Sequence, residues 1–202
     1  MRDIIIMNLQ RRGLYMKVYP GTTVARSELS GKQFLNALFL GTNGLMMQQL
    51  KELAGVTTPA VQNWVSRGFI PRPINKRYSK DATARIFIIN VLRNTMSLED
   101  IKKLLVFVNG NPESREDDII PESELYSHFC EIVFDEEFSF KTVERLVKRV
   151  TENFKEKYHG SKQRLEKALE IICMNHLANN LLNKSQRLLE GVETNNIFGQ
   201  KI

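Results

Sequence analysis

Leu50-Lys51-Glu52-Leu53-Ala54-Gly55-Val56-Thr57-Thr58-Pro59-Ala60-Val61-Gln62-Asn63-Trp64-Val65-Ser66-Arg67-Gly68-Phe69-Ile70 reads as two short helices joined by a tight turn. On the first, Met46, Met47, Leu50, Leu53 and Ala54 share one face, and Gln48, Gln49, Lys51 and Glu52 the other, the pattern of a half-buried helix. Gly55-Val56 closes it. Thr57 is then suited to cap a second helix, Pro59 falls in the first turn where a missing N–H costs little, and Gly68 can stop the helix in a left-handed conformation. Two helices joined so briefly must cross at a steep angle. On the second, Val61, Trp64 and Val65 form one stripe, while Thr58, Pro59, Gln62, Asn63 and Ser66 form the opposite one. Asn and Gln offer a donor and an acceptor together, as adenine edges in a major groove require, and Thr presents a methyl or a hydroxyl. An ordinary solvated helix face has the same composition, so the setting has to decide.

Downstream, Phe69-Ile70-Pro71-Arg72-Pro73-Ile74-Asn75-Lys76-Arg77-Tyr78 has apolar ends around a basic, proline-bearing middle, which suits a small edge hairpin. From Leu53 to Lys80 the charges after Glu52 are Arg67, Arg72, Lys76, Arg77 and Lys80, with no acid among them. Glu113, Glu116, Asp117, Asp118, Glu122 and Glu124 crowd the linker further on. One segment is suited to phosphate and the other is not. Ser79 can cap a helix over Lys80 to Asn94, and Ser97-Leu98-Glu99-Asp100 begins another, carrying Ile101, Leu104, Leu105 and Val108, that Asn109-Gly110-Asn111-Pro112 ends.

Upstream, Ser30-Gly31-Lys32-Gln33 has capping-box spacing for a helix containing Phe34, Leu35, Leu38 and Phe39, while residues 1–29 read as an arm or a short strand pair. Helices are predicted over Glu122 to Phe134, Phe140 to Tyr158 and Ser161 to about Leu189. The expected organisation is an arm (1–29), a winged helix-turn-helix with its leading helix (30–108), an acidic linker (109–121), a helical bundle or dimerisation region (122–190) and a polar tail (191–202). The fold class is mainly α: a helix-turn-helix head with a small β-hairpin wing, plus an all-α C-terminal body.

The order of these signals resembles the DNA-binding domain of the MerR family. The residues that carry the likeness are Leu50 to Thr57, Val61, Trp64, Gly68-Phe69-Ile70, Arg77-Tyr78-Ser79 and Ser97 to Leu105, about a third of the chain. More narrowly, Gln62 to Pro71, Asn75 to Lys80 and Ala84-Arg85 resemble a family of functionally uncharacterised bacterial proteins with this kind of head, a likeness that extends into Leu125 to Ile132. The broader resemblance implies a recognition helix at Thr58 to Arg67, a wing at Arg72 to Tyr78 whose Arg77 and Tyr78 touch phosphate, and dimeric binding to a palindromic operator. Gln62 and Asn63 depart from it, since that family usually carries Arg and then an aromatic there, and the departure suggests more base readout. A second departure is Ile86, Phe87, Ile88, Ile89, Val91 and Leu92, which leave their helix little polar surface. Such a helix must be covered on more than one side, either by C-terminal helices of the same chain or by a second subunit.

The 202 residues carry a formal net charge of +6 and a sequence pI near 9.3, a balance that favours a polyanionic partner. Apolar runs such as Ile86 to Val91 fall far short of the ~20 residues that cross a bilayer. With two cysteines and no leader-like start, the expected location is the cytoplasm. His128, Cys130, Cys173 and His176 are a zinc-ligand set on paper, but residues two apart on a helix point to nearly opposite faces, so His128 and Cys130 could not both bind. Neither cysteine has a clear cationic neighbour on its own helix face apart from His176, which argues against thiol sensing. No phosphate-binding loop, nucleophile elbow or paired-histidine metal motif occurs, so no enzyme activity and no cofactor is expected. Ala178, Leu181, Leu182, Leu188 and Leu189, interrupted by Ser185, form a stripe that could be intramolecular core or a dimer seam.

The expected function is a transcriptional regulator that binds double-stranded DNA as a homodimer, with an unidentified small-molecule effector left open. Thr58, Gln62, Asn63 and Ser66 would face bases, and Lys51, Arg67, Arg72, Lys76, Arg77 and Tyr78 would meet phosphate. The alternative is a protein-interaction scaffold that keeps the fold without binding DNA.

Overall fold

A computed structural model describes residues 17–110, 116 and 118–194, with the side chains of 192–194 left aside. Eight helices and two short strands occur among them: α1 (Gly31–Leu38), β1 (Leu45–Met46), α2 (Met47–Ala54), α3 (Thr58–Ser66), β2 (Arg77–Tyr78), α4 (Lys80–Leu92), α5 (Leu98–Asn109), α6 (Glu122–Phe134), α7 (Val143–Val150) and α8 (Ser161–Thr194). No helix among them is long and apolar enough to cross a membrane.

Local signals set most of these boundaries. The Ser30 hydroxyl accepts from Gln33 N while the Gln33 side chain accepts from Ser30 N, a complete capping box at α1. Thr57, Ser79 and Ser97 cap α3, α4 and α5 through their hydroxyls. Two expectations fail. Instead of a helix over 140–158, α7 spans only Val143–Val150, because the Thr142 hydroxyl is engaged in a turn with Glu137 and Ser139 before it, and Thr151 caps its end. Lys157 N and Lys162 N then bond Ser161 Oγ and the Glu156 carboxylate, which starts α8 afresh. The second concerns the wing. β2 pairs antiparallel with β1, Leu45 opposite Tyr78 and Met46 opposite Arg77, so its partner strand lies before α2 and not at Phe69-Ile70. Within the wing, Ile74 and Arg77 exchange both backbone hydrogen bonds around Asn75 (φ 50°) and Lys76 (φ 62°), the two left-handed positions of a tight two-residue turn.

α4 is the centre of the molecule. Every residue from Ala82 to Ile89, and also Val91 and Leu92, is buried, and the helix packs on α2, α6 and α8. The all-round apolar sequence is thus covered by C-terminal helices of the same chain. A single core runs from Tyr19 to Cys173, so residues 30–108 and 122–190 share one interior and do not form separate hydrophobic units. Ile119 and Ile120 of the expected linker belong to it. An aromatic chain threads this core: Tyr19 stacks on Phe34 at 3.8 Å, and Phe34, Phe87, Tyr126, Phe129 and His176 follow in contact.

Of the expected N-terminal arm, residues 1–16 lie outside the described residues. The rest is a small turn closed by a Val18–Ala25 bridge, with Tyr19 buried and its hydroxyl bonded to Leu29 O. The expected polar tail begins as helix, since α8 continues to Thr194, and residues 195–202 lie outside the described residues.

Candidate nucleic-acid interface

α2, α3 and the wing form one exposed surface, and its rigidity comes from below. Gly55 ends α2 at φ 63°, a left-handed turn, and an added Cβ there would meet Thr23 Cγ2 at 2.9 Å. The turn is clamped from a distance. Thr23 N and Oγ1 donate to Leu53 O and Glu52 O, while Asn90 Nδ2 on α4 donates both to Ala54 O at 2.7 Å and to Gly21 O at 2.9 Å. These bonds satisfy carbonyls that the end of α2 would otherwise leave open. Neither Thr23 nor Asn90 was legible as part of the head, since each lies tens of residues from its partner.

α3 presents the pattern its sequence predicts. Val61 and Trp64 are buried, Val65 is half-buried, and Gln62, Asn63 and Ser66 are exposed, with Thr58 half-buried. Gly68 (φ 70°) turns the chain after Arg67, bringing Phe69 and Ile70 into the core. The Ser66 hydroxyl donates to Asn63 O at 3.0 Å, so its donor is occupied within its own helix.

Beside α3 stands the wing. Thr58, Gln62, Ser66, Arg72, Lys76 and Tyr78 line one groove of about 600 Å³, whose mostly apolar floor includes Met46, Val65 and Pro73. Six of the ten residues singled out in the sequence therefore converge. The other four lie around it with different attachments. Asn63 is exposed on the helix flank, and Lys51 is half-buried on α2. Arg67 pairs with Glu99 on α5 and stacks over Phe69. Arg77 donates to Gly44 O at 2.9 Å and to Thr42 Oγ1 at 3.3 Å, tying the wing to the loop before β1.

Tyr78 departs from the expectation of a surface phosphate contact. It is only 3% exposed, and its burial pushes the phenol pKa up. Its ring faces the core because β2 alternates, with Arg77 outward and Tyr78 inward.

Behind α3 lies a connection that the sequence reading did not make, although it began a helix at Glu122. Glu122, counted there as a linker acid, is buried in the first turn of α6 and pairs with Arg85 on α4. Arg85 Nε also donates to Phe69 O at 2.6 Å, so one guanidinium joins α4, α6 and the chain leaving α3. Arg85, set beside the apolar run Ile86 to Ile89 of a helix that had to be enclosed, was the one sequence hint that a buried acid had to be found.

Away from the head, Cys130 and Cys173 are buried, and desolvation raises both thiols, that of Cys130 to about 12. Burial lowers the His128 and His176 imidazoles, the latter to about 4. Among the described residues no group of three or more His, Cys, Asp or Glu is placed to hold a metal ion.

A family model described as a domain of unknown function (DUF1836) matches residues 35–129, from within α1 through α6 as far as Phe129. The match covers the head, α4, α5 and the Arg85–Glu122 pair. No curated protein and no solved structure matches the chain.

Proposed function

We propose that this protein is a sequence-specific double-stranded DNA-binding regulator, with a MerR-like winged helix-turn-helix as its reading head. The observation that carries the reading is the convergence of the amide-and-hydroxyl ridge of α3 with Arg72 and Lys76 of the wing on one exposed groove. α3 enters the major groove, where Gln62 and Asn63 address base edges and the apolar strip beside them accepts a thymine methyl. Arg72 and Lys76 lie against the flanking phosphates, joined by Lys51 and Arg67. Arg77 and Tyr78 hold the wing in place, a positioning role in which Arg77 reaches phosphate only at the edge of the contact.

The test is a gel-shift series with duplex DNA at rising salt. Arg72→Ala combined with Lys76→Ala should weaken binding across all sequences, whereas unchanged affinity at moderate salt sinks the wing assignment.

A second reading is favoured by the same groove, since its apolar floor also suits a side chain of a partner peptide. In that case the head is a scaffold for protein contact. Salt-sensitive retention on duplex DNA separates the two, because the scaffold shows none.

A further inference from the structure

α8 changes character along its length. From Ser161 to Cys173 it runs through the core, with Leu165, Ala168, Leu169, Ile172 and Cys173 buried. Further on, His176, Asn180, Asn183 and Arg187 continue the core-facing line at three- and four-residue spacing, and they look onto a cleft of about 800 Å³ shared with Asn94 and Phe138. The inward face has become polar, while the apolar residues have moved outward. Leu181 is 69% exposed, Leu182 50%, Leu188 65% and Leu189 61%. The stripe is therefore not intramolecular core among the described residues.

Its spacing is that of a helix-to-helix seam. Met174, Leu181 and Leu188 recur at intervals of seven, as do Leu182 and Leu189, with the small residues Ala178 and Ser185 at the same interval between them. We infer that a second copy of this chain docks on this face, α8 against α8, in a symmetric pair. The alternation of large and small positions makes the ridge self-complementary: leucines of one helix meet Ala178 and Ser185 of the other, as a two-fold contact of one surface with itself requires.

The area agrees. The exposed parts of Met174 and the four leucines offer roughly 500 Å² per copy, and so about 1,000 Å² across the pair, where specific interfaces begin. A patch of roughly 500 Å² lies within the ~300–600 Å² of the largest apolar patch on a typical monomer, one that is often functional. The stretch beyond Leu177 keeps its leucines exposed. Its charges are few: Lys184, Arg187 and Glu190 between Met174 and Glu190, which suits a helix partner better than an anionic lipid surface. The inference stands on α8 and does not depend on the DNA-binding reading.

Sedimentation equilibrium of the full chain at micromolar concentration, without DNA, tests it. The wild type should give twice the 23.4 kDa chain mass, and Leu181→Lys with Leu188→Lys should halve that value while helical circular dichroism and the melting transition persist. Leu40→Lys, at an exposed leucine on the loop after α1, should remain paired. A wild type monomeric throughout the concentration range overturns the inference, as does a doubly substituted chain that stays paired. A monomer that binds phosphatidylcholine–phosphatidylglycerol vesicles through these leucines overturns it too.

Discussion

The Arg85 guanidinium and the Glu122 carboxylate meet at 2.5 Å inside the protein, with side chains 1% and 9% exposed, and Arg85 Nε closes the arrangement on Phe69 O. The central helix, the first turn of α6 and the base of the wing are thereby held by one charged group. An ion buried in this way is costly unless each partner is present.

Removing one partner should therefore hurt more than removing both. Glu122→Ala is expected to cost about 3–5 kcal/mol by leaving Arg85 charged and unpaired, whereas Arg85→Met with Glu122→Leu should lose much less. Urea unfolding of the three proteins checks this. A single variant as stable as the wild type would show that the pair does not hold α6 to α4.

Recognition should divide between the two kinds of side chain. Gln62→Ala or Asn63→Ala is expected to relax base preference at one position by ~1–3 kcal/mol, with little change in salt dependence. Arg72→Ala with Lys76→Ala should lower the slope of log affinity against log salt by roughly two, with base preference intact. Binding selections on random duplexes read the first effect and titrations at several salt concentrations the second. If both substitution sets change the same quantity, the division of roles is wrong.

Asn90 should matter to the head although it lies on the central helix. Asn90→Leu leaves Ala54 O and Gly21 O without their donor, at an expected cost of ~1–3 kcal/mol. Hydrogen exchange should rise first in α2 and at Gly55, the segment that the amide clamps. Faster exchange confined to α6 or α8 would contradict this assignment.

Acid should destabilise the protein in part through His176. Its imidazole, packed edge-on against Phe129, is held at about 4 by burial, below the 6.5 of a free histidine. The unfolded chain thus binds a proton that the folded one refuses, so this contribution is intact above about pH 6.5 and declines as the pH falls toward 4. His176→Phe should reduce the loss in melting temperature between those limits relative to the wild type. Parallel curves for the two proteins would exclude the effect.

The two thiols should be silent in the native state. Cys130 and Cys173 are buried and their pKa values raised, so a disulfide reagent at pH 8 should label neither cysteine until denaturant is added, and both thereafter. Rapid labelling of the native protein would reveal an opening of α6 or α8 that their packing does not predict.

The head was readable because its signals are short-range. Ser30, Thr57, Ser79 and Ser97 act on backbone groups within three residues, and Gly55 and Gly68 act at their own φ. The ridge of Gln62, Asn63 and Ser66 follows from helical period alone once Trp64 is assigned inward. Less was visible of what surrounds it. Tyr78 was matched to a phosphate-touching wing residue on the strength of a resemblance, whereas strand alternation and pairing with Leu45 leave it 3% exposed.

The amino-acid order by itself determined most of the helices, the serine and threonine caps of α1, α3, α4 and α5, the polar ridge and the fact that α4 had to be enclosed, because periodicity and capping depend on neighbours a few residues away. Only the tertiary structure decided what encloses α4, that Glu122 answers Arg85, that β1 is the strand beside the wing, and that the leucines of α8 face outward. Those outcomes depend on which surfaces meet across 30 to 70 residues of chain, and a pattern of local preferences carries no information about a partner so far away.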